Sequence, residues 1–407
     1  MDKLNKQKEN IWIITELFYP DETSTAYILT KVANKLSEKY NVNVICSDYN
    51  YNTPDSGIMQ LDGKVKLHRL RHPDASKKNL LRRLWGSLSL SLKFFFLARK
   101  KIKKEDKVLV VTNPVSLILT FSFLKRFKKY FYSILVHDVF PENTIPAGII
   151  KSRGSFLYRI VKWLFDKAYS NADMLIVLGR DMKEVMLGKI KCNKKTKVRI
   201  IENWADTDMI KPLENSKENP NPKKNIIFQY AGNIGRAQGL NRLVDIITKS
   251  DNEFIKFDFW GDGVMRESIE DQVKTLEMQK KISFFGKYAR KDQNEILNSC
   301  DMAIVIVTDG MYGLGVPSKS YNIMAAGKPI LFIGDSRSEI ALVLKEHDIG
   351  ICFEANDIDG LKEFFRKVSL DDLKEFSVMG KKARDIAEKY FSEDVILDKF
   401  ADAFEEC

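Results

Sequence analysis

The sequence predicts an α/β protein made of two Rossmann-like, doubly wound domains facing a central cleft. Three observations carry that expectation. Short runs of Val, Ile and Leu lack the polar alternation of a half-exposed strand, so they suit parallel sheets covered on both faces. Longer stretches with helical spacing separate these runs, which is the pattern of βαβ units. The alternation halts at 211–225, "KPLENSKENPNPKKN", where Pro, Asn, Lys and Glu without apolar period mark a linker or long surface loop, and then it restarts.

In chain order, a charged end leads into the strand "NIWIITELF", and 26–40 follows as an amphipathic helix. The strands "VNVICSD", "VKLHRL", "KVLVVTNP", "YSILVHDVFP", "DMLIVLG" and "KVRIIENW" complete the first half. After the break come "IIFQYAG", a helix from Leu240, "FIKFDFWGDG", a helix to Lys280, "KISFFG", "DMAIVIV", "PILFIGD" and "IGICFE". The last segment, from Leu370, is helical by pattern and rich in Lys and Glu.

A chain of 407 residues favours two domains. The five cysteines are scattered singly with no CxxC spacing, which fits a reducing compartment and neither a disulfide framework nor a zinc site. The four histidines are equally dispersed, so no metal is expected. The opening residues lack the apolar core of a signal peptide, and no run of about 20 apolar residues predicts a spanning helix. The net charge of +11 suits an anionic partner: nucleic acid, a phosphorylated small molecule or an anionic membrane.

Open α/β sheets bind ligands at the carboxyl ends of their strands. Four successive strands of the second half end in glycine-rich loops there: "AGNIGRAQGL", "GDG", "GKYAR" and "GLGVPSKS". Glycine permits positive φ and lets backbone approach a ligand closely. Amides at a following helix start favour anions, and a cation completes a diphosphate site. Arg236 and Lys319 are the cations placed for that role. Any one of these loops alone reads equally as a tight turn.

Taken in order, "YAGNIGRAQGL", "FWGDG", "FFGKYAR" and "GVPSKSYNIMAAGKPI" followed by "SEI" resemble the donor domain of family 4 glycosyltransferases, retaining enzymes of the GT-B fold. "ELFYPDETSTAYILTKVANKL", "VHDVFPE" and "ENWAD" resemble the family's amino half, so the likeness spans nearly the whole chain. The PSK version is similar to bacterial enzymes, L-fucosamine transferase-like, that extend lipid-linked O-antigen or capsule units. The resemblance implies an acceptor-side domain at 1–208, a nucleotide-sugar donor domain at 209–385, and a helix at 386–407 packing back on the first domain. It also implies a UDP-linked donor, an N-acetylated amino-deoxy sugar among the candidates, and a polyprenyl-diphosphate-linked saccharide as acceptor.

Residue by residue, the resemblance implies that Gly232, Asn233, Gly235 and Gln238, with Gly261, Gly313, Gly315, Val316, Pro317, Ser318 and Lys319, hold the donor. Lys287 and Tyr288 would meet the base. Many members of that family carry an arginine and a lysine where Asn233 and Gln238 stand, leaving Arg236 and Lys319 as the cations here. Tyr312 and Asn322 stand near the positions of the family's usual Glu pair, so Glu339 is the remaining acid for ribose or sugar. His137, with Asp138, would lie near the reacting bond. Without an evident nucleophile, a front-face mechanism with cationic stabilisation of the leaving diphosphate is expected. Asp21, Glu22, Thr23, Ser24 and Thr25 fit an acceptor-side loop, and equally a capped helix start.

The segment Leu80–Lys104 places Leu80, Leu81, Leu84, Trp85, Leu88, Leu92, Phe95 and Phe96 within about 160° of a helical wheel, with Arg and Lys opposite. That composition reads as an interfacial helix on the inner membrane surface, making the protein cytoplasmic and peripheral, or else as a core-facing helix with a basic solvent face. Leu90, Phe94 and Leu97 interrupt the polar side. The rival readings are a GT-B transferase or epimerase with a soluble acceptor and a non-catalytic basic α/β protein that binds nucleic acid or membrane. No nucleic-acid-binding motif is present, so nucleic acid is not an expected partner.

Overall fold

The computed structural model describes residues 8–21, 23–48, 59–71, 80–150, 152–190, 195–213 and 224–407, with backbone alone at 80–84 and 237. Glu22 and most of the 211–225 stretch lie outside them. The first half forms β1 (Asn10–Ile14), α1 (Ser24–Ser37), β2 (Asn41–Ser47), β3 (Lys66–Leu70), α2 (Leu80–Lys101), β4 (Lys107–Val111) and α3 (Ser116–Lys128). It continues with β5 (Phe131–Val136), α4 (Phe156–Ser170), β6 (Met174–Val177), α5 (Arg180–Lys189) and β7 (Lys197–Ile200). The second half forms β8 (Ile226–Ala231), α6 (Leu240–Ile247), β9 (Ile255–Trp260), α7 (Arg266–Thr275), β10 (Ile282–Gly286), α8 (Gln293–Asn298) and β11 (Met302–Ile306). Then come α9 (Lys319–Ala325), β12 (Ile330–Ile333), α10 (Glu339–His347), β13 (Gly350–Phe353), α11 (Ile358–Lys367), α12 (Leu373–Phe391) and α13 (Glu393–Glu405).

The strands make two sheets, ordered β3-β2-β1-β4-β5-β6-β7 and β10-β9-β8-β11-β12-β13, and every described pairing is parallel. Central strands β4 and β6 are buried at every residue, while the edge strands β3 and β7 are partly open. Strand order reverses between β1 and β4 and again between β8 and β11. Each sheet therefore opens a crevice at its carboxyl edge, where ligands bind in such folds.

The chain crosses between the sheets near Ala205 and returns through α12 and α13. Ala205 bridges Ser392 at the α12–α13 junction. Arg384 of α12 donates from Nη1 to the carbonyls of Ile210 (2.7 Å) and Ala325 (2.8 Å) and from Nη2 to Thr207 (3.0 Å), tying the crossing to α9. Gly380 of α12 lies so close to Gly327 that a Cβ would overlap the Gly327 carbonyl oxygen. Helix α13 lies on α1 through Lys31–Glu393 and Lys35–Asp398, both 2.8 Å.

Helix α2 departs from the wheel drawn on its sequence. Leu90, Phe94 and Ala98, one turn apart, are fully buried and form its core face. Trp85, Leu88, Leu92 and Phe96 point to solvent instead, and Phe95 is half-buried. Leu80, Leu81 and Leu84 have no described side chains. Both sides of this helix are apolar, and Leu90 and Phe94, which interrupt its polar side, are the residues that anchor it. Phe94→Ala should therefore cost roughly 3–5 kcal/mol by chemical denaturation, and Phe96→Ala should stay within about 0.5 kcal/mol of the parent.

Candidate active site

The two carboxyl edges enclose a cavity of about 420 Å³, within the usual range for small-molecule sites. On its first-domain side Ser24 and Tyr27 enter from α1, and His137 and Asp138 from the end of β5. Thr23 caps α1: its Oγ1 accepts from the Ala26 amide (3.4 Å), and its own amide donates to Asp21 (2.9 Å). Thr25 does not line the cavity. This stretch is thus a capped helix start whose first residue, Ser24, faces the cleft.

His137 follows β5 directly, and its amide donates to Thr112 Oγ1 (3.1 Å). Its Nε2 is shielded from solvent and has no partner. Burial pushes its pKa down to about 4, so the ring is neutral at pH 7. Asp138 opens onto the cleft between the domains, and the surrounding protein holds its carboxyl above the ordinary range.

On the second-domain side the glycine-rich loops are built largely against one another. Gly232 (φ +148°) donates to the Trp260 carbonyl, and Ile234 to that of Asp262, both 2.9 Å. Gly261 (φ +124°) donates to the Gly286 carbonyl (2.7 Å), and a Cβ on it would overlap the Gly232 carbonyl oxygen. The Gly235 amide binds Gln238 Oε1 (3.1 Å). Glycine is needed here because backbone meets backbone. Gly232, Asn233 and Gln238 line the cavity, whereas Gly235 and Gly261 brace them from behind.

The cations also redistribute. Arg236 is exposed on a short turn and does not line the cavity. Lys287 is likewise exposed, paired with Asp262 at 3.3 Å, while its neighbour Tyr288 does face inward. Lys319 sits in the cleft with Nζ 3.4 Å from the Tyr230 ring centroid, shielded from solvent and without a hydrogen-bond partner. Desolvation alone lowers its pKa to about 7. Arg290, absent from the expected set, supplies a second cation. Its Cζ stacks 3.5 Å from the Tyr27 ring centroid, and Nη2 lies 3.4 Å from Asp206 Oδ2. The Tyr27 hydroxyl also donates to Asp206 (2.9 Å). Nothing local in "KYARKD" distinguishes this arginine, because its partners come from α1 and the crossing segment.

The stretch before Lys319 serves both domains. Gly315, Val316, Pro317 and Ser318 line the cavity, and Asn322 faces it while its Oδ1 accepts from the Asp206 amide (3.0 Å). Gly313 (φ +65°) is turned away: a Cβ there would lie 2.5 Å from Val185 Cγ2 of α5. The Leu314 carbonyl accepts from Val139 (2.9 Å), and the Tyr312 hydroxyl donates to Glu184 (2.7 Å). Glu339 does not reach the cavity either. It is buried and takes bonds from the Arg180 amide (2.6 Å), Nε (3.0 Å) and Nη2 (3.0 Å), joining α10 to α5. Gly313 and Glu339 are therefore domain-joining residues, because the loop after β11 lies directly on α5.

Two facing Rossmann-like domains with one cavity between their carboxyl edges form the GT-B architecture, and the chain belongs to the group 1 glycosyltransferases. The family model described as "Glycosyl transferases group 1" matches residues 212–386. The probable glycosyltransferase WbjE of Pseudomonas aeruginosa is 33% identical over 397 residues, covering 96% of each chain. The putative colanic acid biosynthesis glycosyl transferase WcaI of Escherichia coli is 22% identical over 326 residues, 77% of each. Among solved structures, sucrose-phosphate synthase from Thermosynechococcus elongatus superposes with a TM-score of 0.76 at 13% identity, covering 98% of this chain and 99% of its own. Anabaena HepE in complex with UDP gives 0.69 at 13%, covering 98% and 100%.

A histidine buried neutral in the folded protein binds fewer protons than in the unfolded chain between pH 6.5 and about 4, so its contribution to stability is lost as pH falls through that window. His137→Gln should lose less stability than the parent between those pH values, read by urea unfolding at each pH.

Proposed function

We propose that the cleft binds a nucleoside-diphosphate sugar, UDP-linked, and transfers the sugar with retention to a polyprenyl-diphosphate-linked saccharide in surface polysaccharide assembly. The observation that carries this reading is Lys319, a shielded lysine amine with no carboxylate partner in a cavity between two domains. A buried unpaired charge is costly unless a ligand supplies the opposite one. The diphosphate of the donor is such a ligand, and the neighbours HepE and Staphylococcus aureus TarM, solved with UDP, support the choice of nucleotide. WcaI, by its description, acts in colanic acid biosynthesis, which supports a polysaccharide setting.

In the front-face reading, the bond from the anomeric carbon to the diphosphate oxygen breaks as a bond to the acceptor hydroxyl oxygen forms on the same face. The acceptor's proton passes to the departing diphosphate. Lys319 stabilises the charge that develops there, and Arg290, which lines the same cavity, adds to it. Neutral His137 offers a hydrogen bond to the sugar or acceptor without competing for the anion. Lys319 and Arg290 are the cations this reading offers the diphosphate, and it calls on no metal ion. Among the described residues no helix is long and apolar enough to cross a membrane. The exposed apolar side of α2 supports peripheral attachment at the cytoplasmic face of the membrane that carries the acceptor.

UDP should bind more tightly than GDP or ADP by calorimetry, and Lys319→Ala and Arg290→Ala should each weaken it roughly tenfold to a hundredfold. Arg236→Ala and Lys287→Ala should change little. Transfer to a short-chain polyprenyl-diphosphate saccharide, read by product mass and by the anomeric signal in NMR, should persist in EDTA. Failure of all three nucleotides to bind would overturn the donor site, and an inverted anomer would overturn the front-face step.

A further inference from the structure

We propose that the outer faces of α2, α3 and α4 form one continuous docking surface for an anionic lipid bilayer. This extends the membrane attachment in the functional reading from one helix to a whole layer of the first domain, and rests on that reading for its purpose. The three helices pack side by side over the sheet, α2 on α3 and α3 on α4. Each already has a satisfied inner face: Leu90 and Phe94 on α2, Phe121 and Leu124 on α3, Phe165 and Tyr169 on α4 are all buried. The apolar residues on their outer faces are therefore surplus to the core.

Those residues are large and numerous. Helix α4 exposes Phe156 (77%), Leu157 (66%), Ile160 and Trp163 (60%), with Leu164 beside them. Helix α3 exposes Phe123 and Phe127, and α2 exposes Trp85 (72%), Leu88, Leu92 and Phe96. The α2 and α3 groups touch, with the Phe95 and Phe123 ring centroids 6.1 Å apart and those of Phe123 and Phe127 5.1 Å apart. Single exposed apolar side chains are ordinary, but a face of this extent marks an interaction site.

Charge identifies the occupant. Neither α2 nor α3 contains an acidic residue, and the one acid of α4, Asp166, is bound to Lys162 (2.7 Å) and Lys189 (2.6 Å). The same helices carry Lys93, Arg99, Lys100, Arg126, Arg159 and Lys167, the last with Nζ 5.0 Å from the Trp163 ring centroid. Trp and Phe amid Lys and Arg, with acid excluded, is the chemistry of an interface with anionic head groups. A second copy of the chain would set one basic face against another, which like-charge repulsion opposes. Strand β5, which leads to His137, lies in the sheet beneath this layer. A bilayer docked here leaves the lipid tail of an acceptor in the membrane while its head group reaches the cleft at the strand ends.

The test uses the full chain and sedimentation with vesicles of phosphatidylcholine alone or mixed with phosphatidylglycerol. The parent should bind the anionic vesicles and lose them at high salt. The pairs Phe156→Ser with Trp163→Ser on α4 and Trp85→Ser with Phe96→Ser on α2 should each weaken binding about tenfold or more, and the four together should abolish it. Melting temperature and its rise with UDP, measured on the same samples, should be unchanged, which separates this surface from the donor site. Retention of full binding by the α4 pair would overturn the three-helix surface. Equal binding to both vesicle types would overturn the charge argument. Concentration-dependent self-association that the four substitutions abolish would replace the bilayer by a second copy.

Discussion

A lysine amine shielded from water with no anion beside it is the constraint around which the cleft is organised. Lys319 is held over the Tyr230 ring, and burial depresses its pKa to about 7. A folded protein retains such a group only where the surrounding structure leaves it no alternative. Here the short helix α9 starts at Lys319 itself, and the loops after β8, β9 and β10 are locked to one another by main-chain hydrogen bonds. The floor of the cavity is therefore set before any ligand arrives, which is the preorganisation that electrostatic catalysis requires.

The other half of the site comes from the first domain, so its geometry depends on how the domains are joined. The loop after β11 does this at three points: Tyr312 to Glu184, Leu314 to Val139, and Gly315 against His137 and Asp138. Arg180 and Glu339 add an ion pair between α5 and α10. Arg290 and Tyr27 join the domains again at a second place, with Asp206 of the crossing segment bonded to both. His137 and Lys319 thus face one cavity because two sets of cross-domain contacts hold their strands in register. Changes at these joints would alter the site without touching a ligand.

The fold was largely legible because fully buried parallel strands read as unbroken Val, Ile and Leu runs, as "KVLVV" and "MAIVI" do. The placement of cavity residues was legible where a residue type has few uses. Lys319 after a Gly-Pro loop, and His137 at a strand end, both line the cavity. Glycine misled, because the need for close backbone approach is the same whether the neighbour is a phosphate or another loop: Gly261 and Gly313 meet protein. Glu339 misled for a related reason, since an acid near a site in sequence is taken by whichever cation the other domain presents, here Arg180. Arg290 could not be found at all from its own stretch. On α2, apolar residues occupy both sides, and spacing alone cannot say which side meets the sheet.

The central claim is that the diphosphate of the donor supplies the missing counter-charge of Lys319. Calorimetry of UDP binding in buffers of different ionisation enthalpy, at about pH 8, tests it directly. The free enzyme holds this amine mostly neutral at that pH, so binding should take up about one proton per UDP, and Lys319→Met should bind weakly with no uptake. A parent enzyme whose binding heat is the same in every buffer would contradict the account.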